Sequence, residues 1–126
     1  RRSSDPPRVG SLPGFGAMTG CGPPVCLAGS MIRNVVVGVL DPAATPEQAR
    51  AALDALEALR VDGVDYVMHT GLDLGLREGN ASYAITADFA DEDAYRVYDA
   101  DEEHNRIRRE MFAPISASIH RIQFAL

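Results

Sequence analysis

The sequence predicts an α+β domain with the element order βαββαβ, preceded by residues 1–30, which take no part in it. Three observations carry this reading. Ile32-Arg33-Asn34-Val35-Val36-Val37-Gly38-Val39-Leu40 opens the ordered part as a β-branched strand. Thr45-Pro46-Glu47-Gln48 follows as a helix start and leads into an apolar stripe at helical spacing. A second helical stretch then lies between two further strand patterns and is stopped by Pro114.

Taken in order, Asp41-Pro42 turns the chain out of the first strand. Thr45 is the expected N-cap, Pro46 occupies the first helical position and Gln48 completes a capping box. Ala49, Ala52, Leu53, Leu56 and Leu59 form the stripe, which ends near Arg60. Asp62-Gly63 leads into a second strand, read as Val64 to Leu74. After Glu78-Gly79-Asn80, Ser82 to Phe89 alternates, with Tyr83, Ile85, Ala87 and Phe89 sharing one face. Asp91 caps a helix from Glu92 to Tyr98, which breaks and resumes from Glu102 to Phe112. The last strand, Ser116 to Phe124, sets Ile119, Arg121 and Gln123 opposite Ser118, His120, Ile122 and Phe124. This is the ferredoxin-like arrangement.

Residues 1–30 have Ser, Gly or Pro at half of their positions and show no periodicity. Such a segment buries too little apolar surface to offset its ordering entropy. It is read as a disordered N-terminal extension, either appended to the protein or translated from upstream of a start at Met31, in preference to a functional arm. Residues 31–126 are the domain. A core built mainly from Val, Ile, Leu and Ala in so short a chain is modest, which favours a homodimer.

The net charge of −6 is unevenly spread: residues 31–126 hold nine Arg, no Lys and seventeen acids. Such a surface repels phosphate backbones and acidic membranes, so neither nucleic acid nor membrane is an expected partner. No apolar run approaches the roughly 20 residues of a spanning helix. No export signal is legible, and Cys21 and Cys26 both precede the domain, which suits a reducing cytoplasm. A single CxxxxC pair makes no zinc site. Asp99, Asp101, Glu103 and His104 carry donor atoms, but the Gly of a calcium loop is missing, so no metal is expected. Gly14-Phe15-Gly16 follows no strand and is no phosphate loop. No cofactor is expected.

The opening Met31 to Val37, Gly71-Leu72-Asp73-Leu74, Ala87-Asp88-Phe89, and Asp93-Ala94-Tyr95-Arg96-Val97-Tyr98 followed by Asp101-Glu102-Glu103-His104 together resemble the stress-responsive dimeric A/B barrel (Dabb) family. The resemblance covers residues 31–126. It implies a four-stranded antiparallel sheet per protomer, two of which close a dimeric α+β barrel with helices outside. It also implies an apolar small-molecule pocket between each sheet and its helices. Most members have no assigned reaction; a plant member is a cofactor-independent polyketide cyclase whose pocket Tyr and His lie six residues apart. Tyr98 and His104 match that spacing. The chain departs from the family pattern at Asn34, where His is frequent, and at Asp101 and Glu102, where His and Pro are frequent.

Two readings of Tyr98 and His104 stay open. In one, His104 removes a proton α to a carbonyl while the Tyr98 phenol holds the developing enolate oxygen. In the other both pack at the helix junction, and three acidic neighbours keep His104 protonated. Asn34 is either a ligand contact or a satisfied core amide. Tyr66, His69 and Tyr83 line either the pocket or the dimer face, with Tyr83 in phase with the core. The expected function is a homodimeric small-molecule-binding domain; a cyclase-like enzyme and a purely structural stress-response dimer are the alternatives.

Overall fold

The structure, a computed structural model, describes residues 30–126; the expectation for residues 1–29 lies outside the described residues. The elements are β1 (Ile32–Leu40), α1 (Pro46–Ala58), β2 (Tyr66–Leu72), β3 (Tyr83–Phe89), α2 (Glu92–Ala100), α3 (Glu102–Ile107) and β4 (Ser116–Ala125). A π-helical turn (Arg108–Phe112) and a 3₁₀ turn (Ala113–Ile115) connect α3 to β4. The strands form one antiparallel sheet in the order β2-β3-β1-β4. The expected βαββαβ order is therefore the observed one.

Helix α1 begins where the capping box requires. Gln48 N–H donates to Thr45 Oγ1 at 3.1 Å, and Thr45 N–H donates to Gln48 Oε1 at 2.9 Å. Its buried stripe is Ala49, Ala52, Leu53 and Leu56. At the other end the Arg60 guanidinium donates to the carbonyls of Glu57 and Leu59, both at 2.8 Å, which satisfies acceptors the helix leaves open.

Strand β2 is shorter at both ends than the sequence suggested. Its C-terminal end is set by the connection to β3: Asp73 N–H donates to Ser82 O, and the Asp73 carboxylate accepts from Gly75 N–H and Asn80 Nδ2. Gly75, with φ of 74°, takes the chain out of the strand direction just after it. The second long helix also differs: regular α-helix ends at Ile107, and Arg108 to Phe112 widen into the π turn.

One sheet face packs on the helices. Ile32, Asn34, Val36 and Gly38 of β1 share it with Tyr83, Ile85, Ala87 and Phe89 of β3, as the register Asn34↔Ala87 and Gly38↔Tyr83 requires. Leu53 and Phe89 lie at the centre of this core. On the other face Val39, Val67, Ile122 and Phe124 remain exposed, Ile122 to 60%. Arg33 also lies there and holds Asp88, its register partner, through two hydrogen bonds of 2.7 and 2.8 Å. No helix among the described residues is long and apolar enough to cross a membrane.

Candidate functional site

Between the helix-facing side of the sheet and the helices lies a cavity of about 250 Å³. Its apolar wall is drawn from five elements: Val36, Leu56, Ile85, Phe112 and Ile119. Four residues singled out from the sequence converge on it, namely Asn34, Tyr83, Tyr98 and His104.

Tyr98 and His104 meet across a helix break. In a continuous helix, residues six apart point about 120° away from each other. Here Asp101 ends α2, its N–H donating to Tyr98 O at 3.1 Å, and caps α3, its carboxylate accepting from His104 N–H at 2.9 Å. The change of direction brings the two rings to 4.3 Å between centroids. Tyr98 also packs edge-on against Tyr66 and at a tilt against Phe89, both at 5.1 Å. Aromatic contacts of this kind add roughly 0.5–1.5 kcal/mol each beyond the area they bury.

Burial governs the titration of both groups. His104 is 8% exposed and Tyr98 is 3% exposed. Loss of hydration pushes the His104 imidazole below its ordinary value; Asp99 and Asp101 oppose this and Arg108 assists it. The imidazole is therefore neutral at pH 7. Burial thus outweighs the acidic neighbours, which were expected to keep it protonated. The Asp101 carboxylate caps the His104 backbone N–H, Glu103 is held by Arg106, and Glu102 is exposed to water. Burial pushes the Tyr98 phenol far above its usual range, with Tyr66, Tyr95, Asp99 and Asp101 adding to it, so the hydroxyl keeps its proton. His104 Nδ1 is buried with no hydrogen-bond partner among the described residues. An unsatisfied buried group of this kind costs about 1–3 kcal/mol, and a native fold that carries one calls for an explanation.

Asn34, 6% exposed, resolves into a satisfied amide that also lines the cavity: its Oδ1 accepts from Gln123 Nε2 at 2.7 Å. The Tyr83 hydroxyl shares a 2.8 Å hydrogen bond with Ser116 Oγ, and burial raises its pKa. Tyr66 stands behind the site instead of in it: its hydroxyl donates to Leu59 O at 3.1 Å and its ring supports Tyr98. His69 lies outside the cavity altogether. Strand alternation sets it with Val67 on the opposite face from Tyr66 and Met68, exposed beside Asp88. The two-residue period of β2 thus leaves it the sheet face away from the helices, the second of the two places expected for it.

The cavity wall also includes Tyr95, Asp99, Arg108 and Arg121, which sequence reasoning did not assign to the site. The signal existed. Arg108 and Phe112 follow His104 at four-residue intervals, and Arg121 shares a strand phase with Ile119. Polar residues at such positions read as solvated faces until the cavity is known. Among the described residues no three His, Cys, Asp or Glu side chains converge as a metal site.

A ferredoxin-like α+β fold with a partly apolar cavity between sheet and helices, lined by Tyr98 and a neutral His104, defines the class. Residues 32–125 match the Stress Responsive A/B Barrel Domain (Dabb), and the chain belongs to that family. Among solved structures it is similar to a dimeric ferredoxin-like protein of unknown function from Thermobifida fusca YX. That protein is 30% identical, with 78% of this chain and 92% of that one covered and a TM-score of 0.68. A Dabb family protein from Mesorhizobium loti is 23% identical over 75% of this chain and 95% of its own, with a TM-score of 0.59. The hydroxynitrile lyase of Passiflora edulis shares the fold at 14% identity over 78% of this chain and 94% of its own, with a TM-score of 0.67. A search of curated proteins found no match.

Proposed function

We propose that the chain is a homodimeric small-molecule-binding protein and that each protomer holds an apolar carbonyl compound in the cavity between its sheet and helices. The observation that carries this reading is the buried His104 imidazole, its ring tilted against the Tyr98 phenol at 4.3 Å between centroids on the cavity wall. Such a pair offers one proton acceptor and one proton donor to a guest otherwise surrounded by Val36, Ile85 and Ile119. The exposed Val39, Val67, Ile122 and Phe124 supply the apolar sheet face on which a second copy closes the dimeric barrel. Related proteins from Thermobifida fusca and Bacteroides fragilis are described as dimeric. The reading extends to a cytoplasmic location, which Cys21 and Cys26 lying ahead of the domain would suit.

A second reading, cofactor-independent catalysis of the polyketide-cyclase kind, is favoured by the same pair. His104 would take a proton from the carbon next to a carbonyl, and the Tyr98 hydroxyl would donate to the enolate oxygen. The same fold carries an enzyme in the Passiflora lyase.

The test is a ligand-detected NMR screen of the full chain against apolar aromatic and polyketide-like carbonyl compounds, run beside His104→Gln and Tyr98→Phe. Binding or turnover that depends on His104 in a folded dimer supports the proposal. A folded dimer that binds nothing across such a library leaves a structural stress-response dimer as the function.

A further inference from the structure

The cavity has a polar end that an apolar carbonyl guest does not use. Arg108, at the start of the π turn, and Arg121, on β4, both contribute to its wall and both are exposed to solvent. Most of the charged helix surface is internally paired: Arg50 with Asp54, Arg96 with Glu92 and Asp93, Arg106 with Glu103 and Glu110. Arg108 and Arg121 form no ion pair among the described residues, although Asp99 shares the same cavity wall. Arg108 makes only a 3.2 Å contact to the neutral Asn105 amide. With His104 neutral, the two guanidinium groups and one carboxylate leave the wall with one net positive charge. That sign is opposite to the rest of a domain with eight acids in excess.

We propose that Arg108 and Arg121 select a carboxylate, so that the preferred guest is a small keto acid or aryl carboxylate instead of a neutral carbonyl compound. This rests on the reading of the cavity as a small-molecule site and specifies the charge of what enters it. Guanidinium groups bind carboxylates through paired N–H donors, and they lose less on dehydration than an ammonium would. The rest of the cavity fits the other end of such a molecule. Its volume equals that of about eight liquid waters, enough for an aryl ring or a branched chain bearing one carbonyl. With the carboxylate at the arginines, the apolar body lies along Val36, Ile85 and Ile119 and the carbonyl reaches His104 and Tyr98. The His104 Nδ1, buried with no hydrogen-bond partner among the described residues, is a polar atom at the cavity wall to which the carbonyl end of such a guest is presented.

The experiment compares phenylglyoxylate with acetophenone as probes for the full chain, by ligand-detected NMR and isothermal titration. The series is repeated on Arg121→Gln, Arg108→Gln and, as a charge-matched surface control, Arg96→Gln. Phenylglyoxylate is expected to bind about tenfold more tightly, the scale of one charge-assisted hydrogen bond. That margin should shrink in Arg121→Gln and Arg108→Gln, persist in Arg96→Gln, and weaken with added salt. Equal binding of the two probes, or a margin indifferent to Arg108 and Arg121, overturns the carboxylate assignment and leaves the small-molecule site standing. Failure of both probes at millimolar concentration, in a protein with an unchanged melting curve, overturns both.

Discussion

The ring of Tyr83 lies directly over the α-carbon of Gly38: a Cβ at position 38 would stand 2.1 Å from Tyr83 Cζ and 2.3 Å from its hydroxyl oxygen. The two residues are register partners across β1 and β3, so neither can shift without disturbing the ladder. Gly38 thereby seats the Tyr83 ring against Phe112 and its hydroxyl on Ser116, where it forms one wall of the cavity.

Gly38→Ala is expected to expel the Tyr83 ring and destabilise the fold by about 1–3 kcal/mol, the usual cost of overpacking a filled core. Chemical denaturation measures it. The double variant Gly38→Ala/Tyr83→Leu should recover part of the loss, and an unchanged midpoint in the single variant would show that the ring has another place to go.

Asp101→Ala should cost about 1 kcal/mol through loss of the cap on His104 N–H. The more telling effect is local. The ring-current shift that Tyr98 imposes on the His104 imidazole protons should diminish, because the helix break no longer has its fixed direction. Asp101→Asn, which keeps an oxygen acceptor, should retain most of both.

Protonation of His104 opposes folding. Its pKa is lowered in the fold by burial, so between that depressed value and the ordinary value of about 6.5 the unfolded chain binds more protons. Stability is therefore undiminished above about pH 6.5, falls as the pH drops through the window below it, and levels off once both states are protonated. His104→Gln should flatten this part of the stability profile. An NMR titration of His104 with a midpoint above the ordinary histidine value would refute the assignment of burial as the dominant influence. Asp88 acts in a separate and more acidic window. Its hydrogen bonds from Arg33 lower its pKa, and the stability they give is present above the usual carboxylate range and lost as the pH falls through the depressed value.

Ile122→Asp places a charge on the sheet face that points away from the helices. The protomer core should survive, and light scattering should report monomer where the unaltered chain gives dimer. A persistent dimer would mean that self-association uses a different surface.

The order and character of the elements were legible in the sequence because their causes are local. The box of Thr45 and Gln48, the alternation from Tyr83 to Phe89 and the arrest at Pro114 each act within a few residues. Element ends were less legible where side chains decide them, as Asp73 does beyond β2. The strand phase of β4 was also written in the residue pattern, since Ile119 and Arg121 line the cavity while Ile122 lies on the exposed face.

What the sequence by itself determined is the βαββαβ order and the short list of polar residues set among apolar ones. Only the tertiary structure decided what those residues are. Burial against Tyr98 lowers the His104 pKa against the acids beside it in the chain, because dehydration outweighs charges that are themselves paired or in water. The two-residue period of β2 sends His69 to the opposite face, while Gln123, 89 residues along the chain, satisfies Asn34. Arg108 and Arg121 become one cationic edge only when α3's extension and β4 enclose the same space. Proximity of this kind is a property of packing, and no local pattern in the chain encodes it.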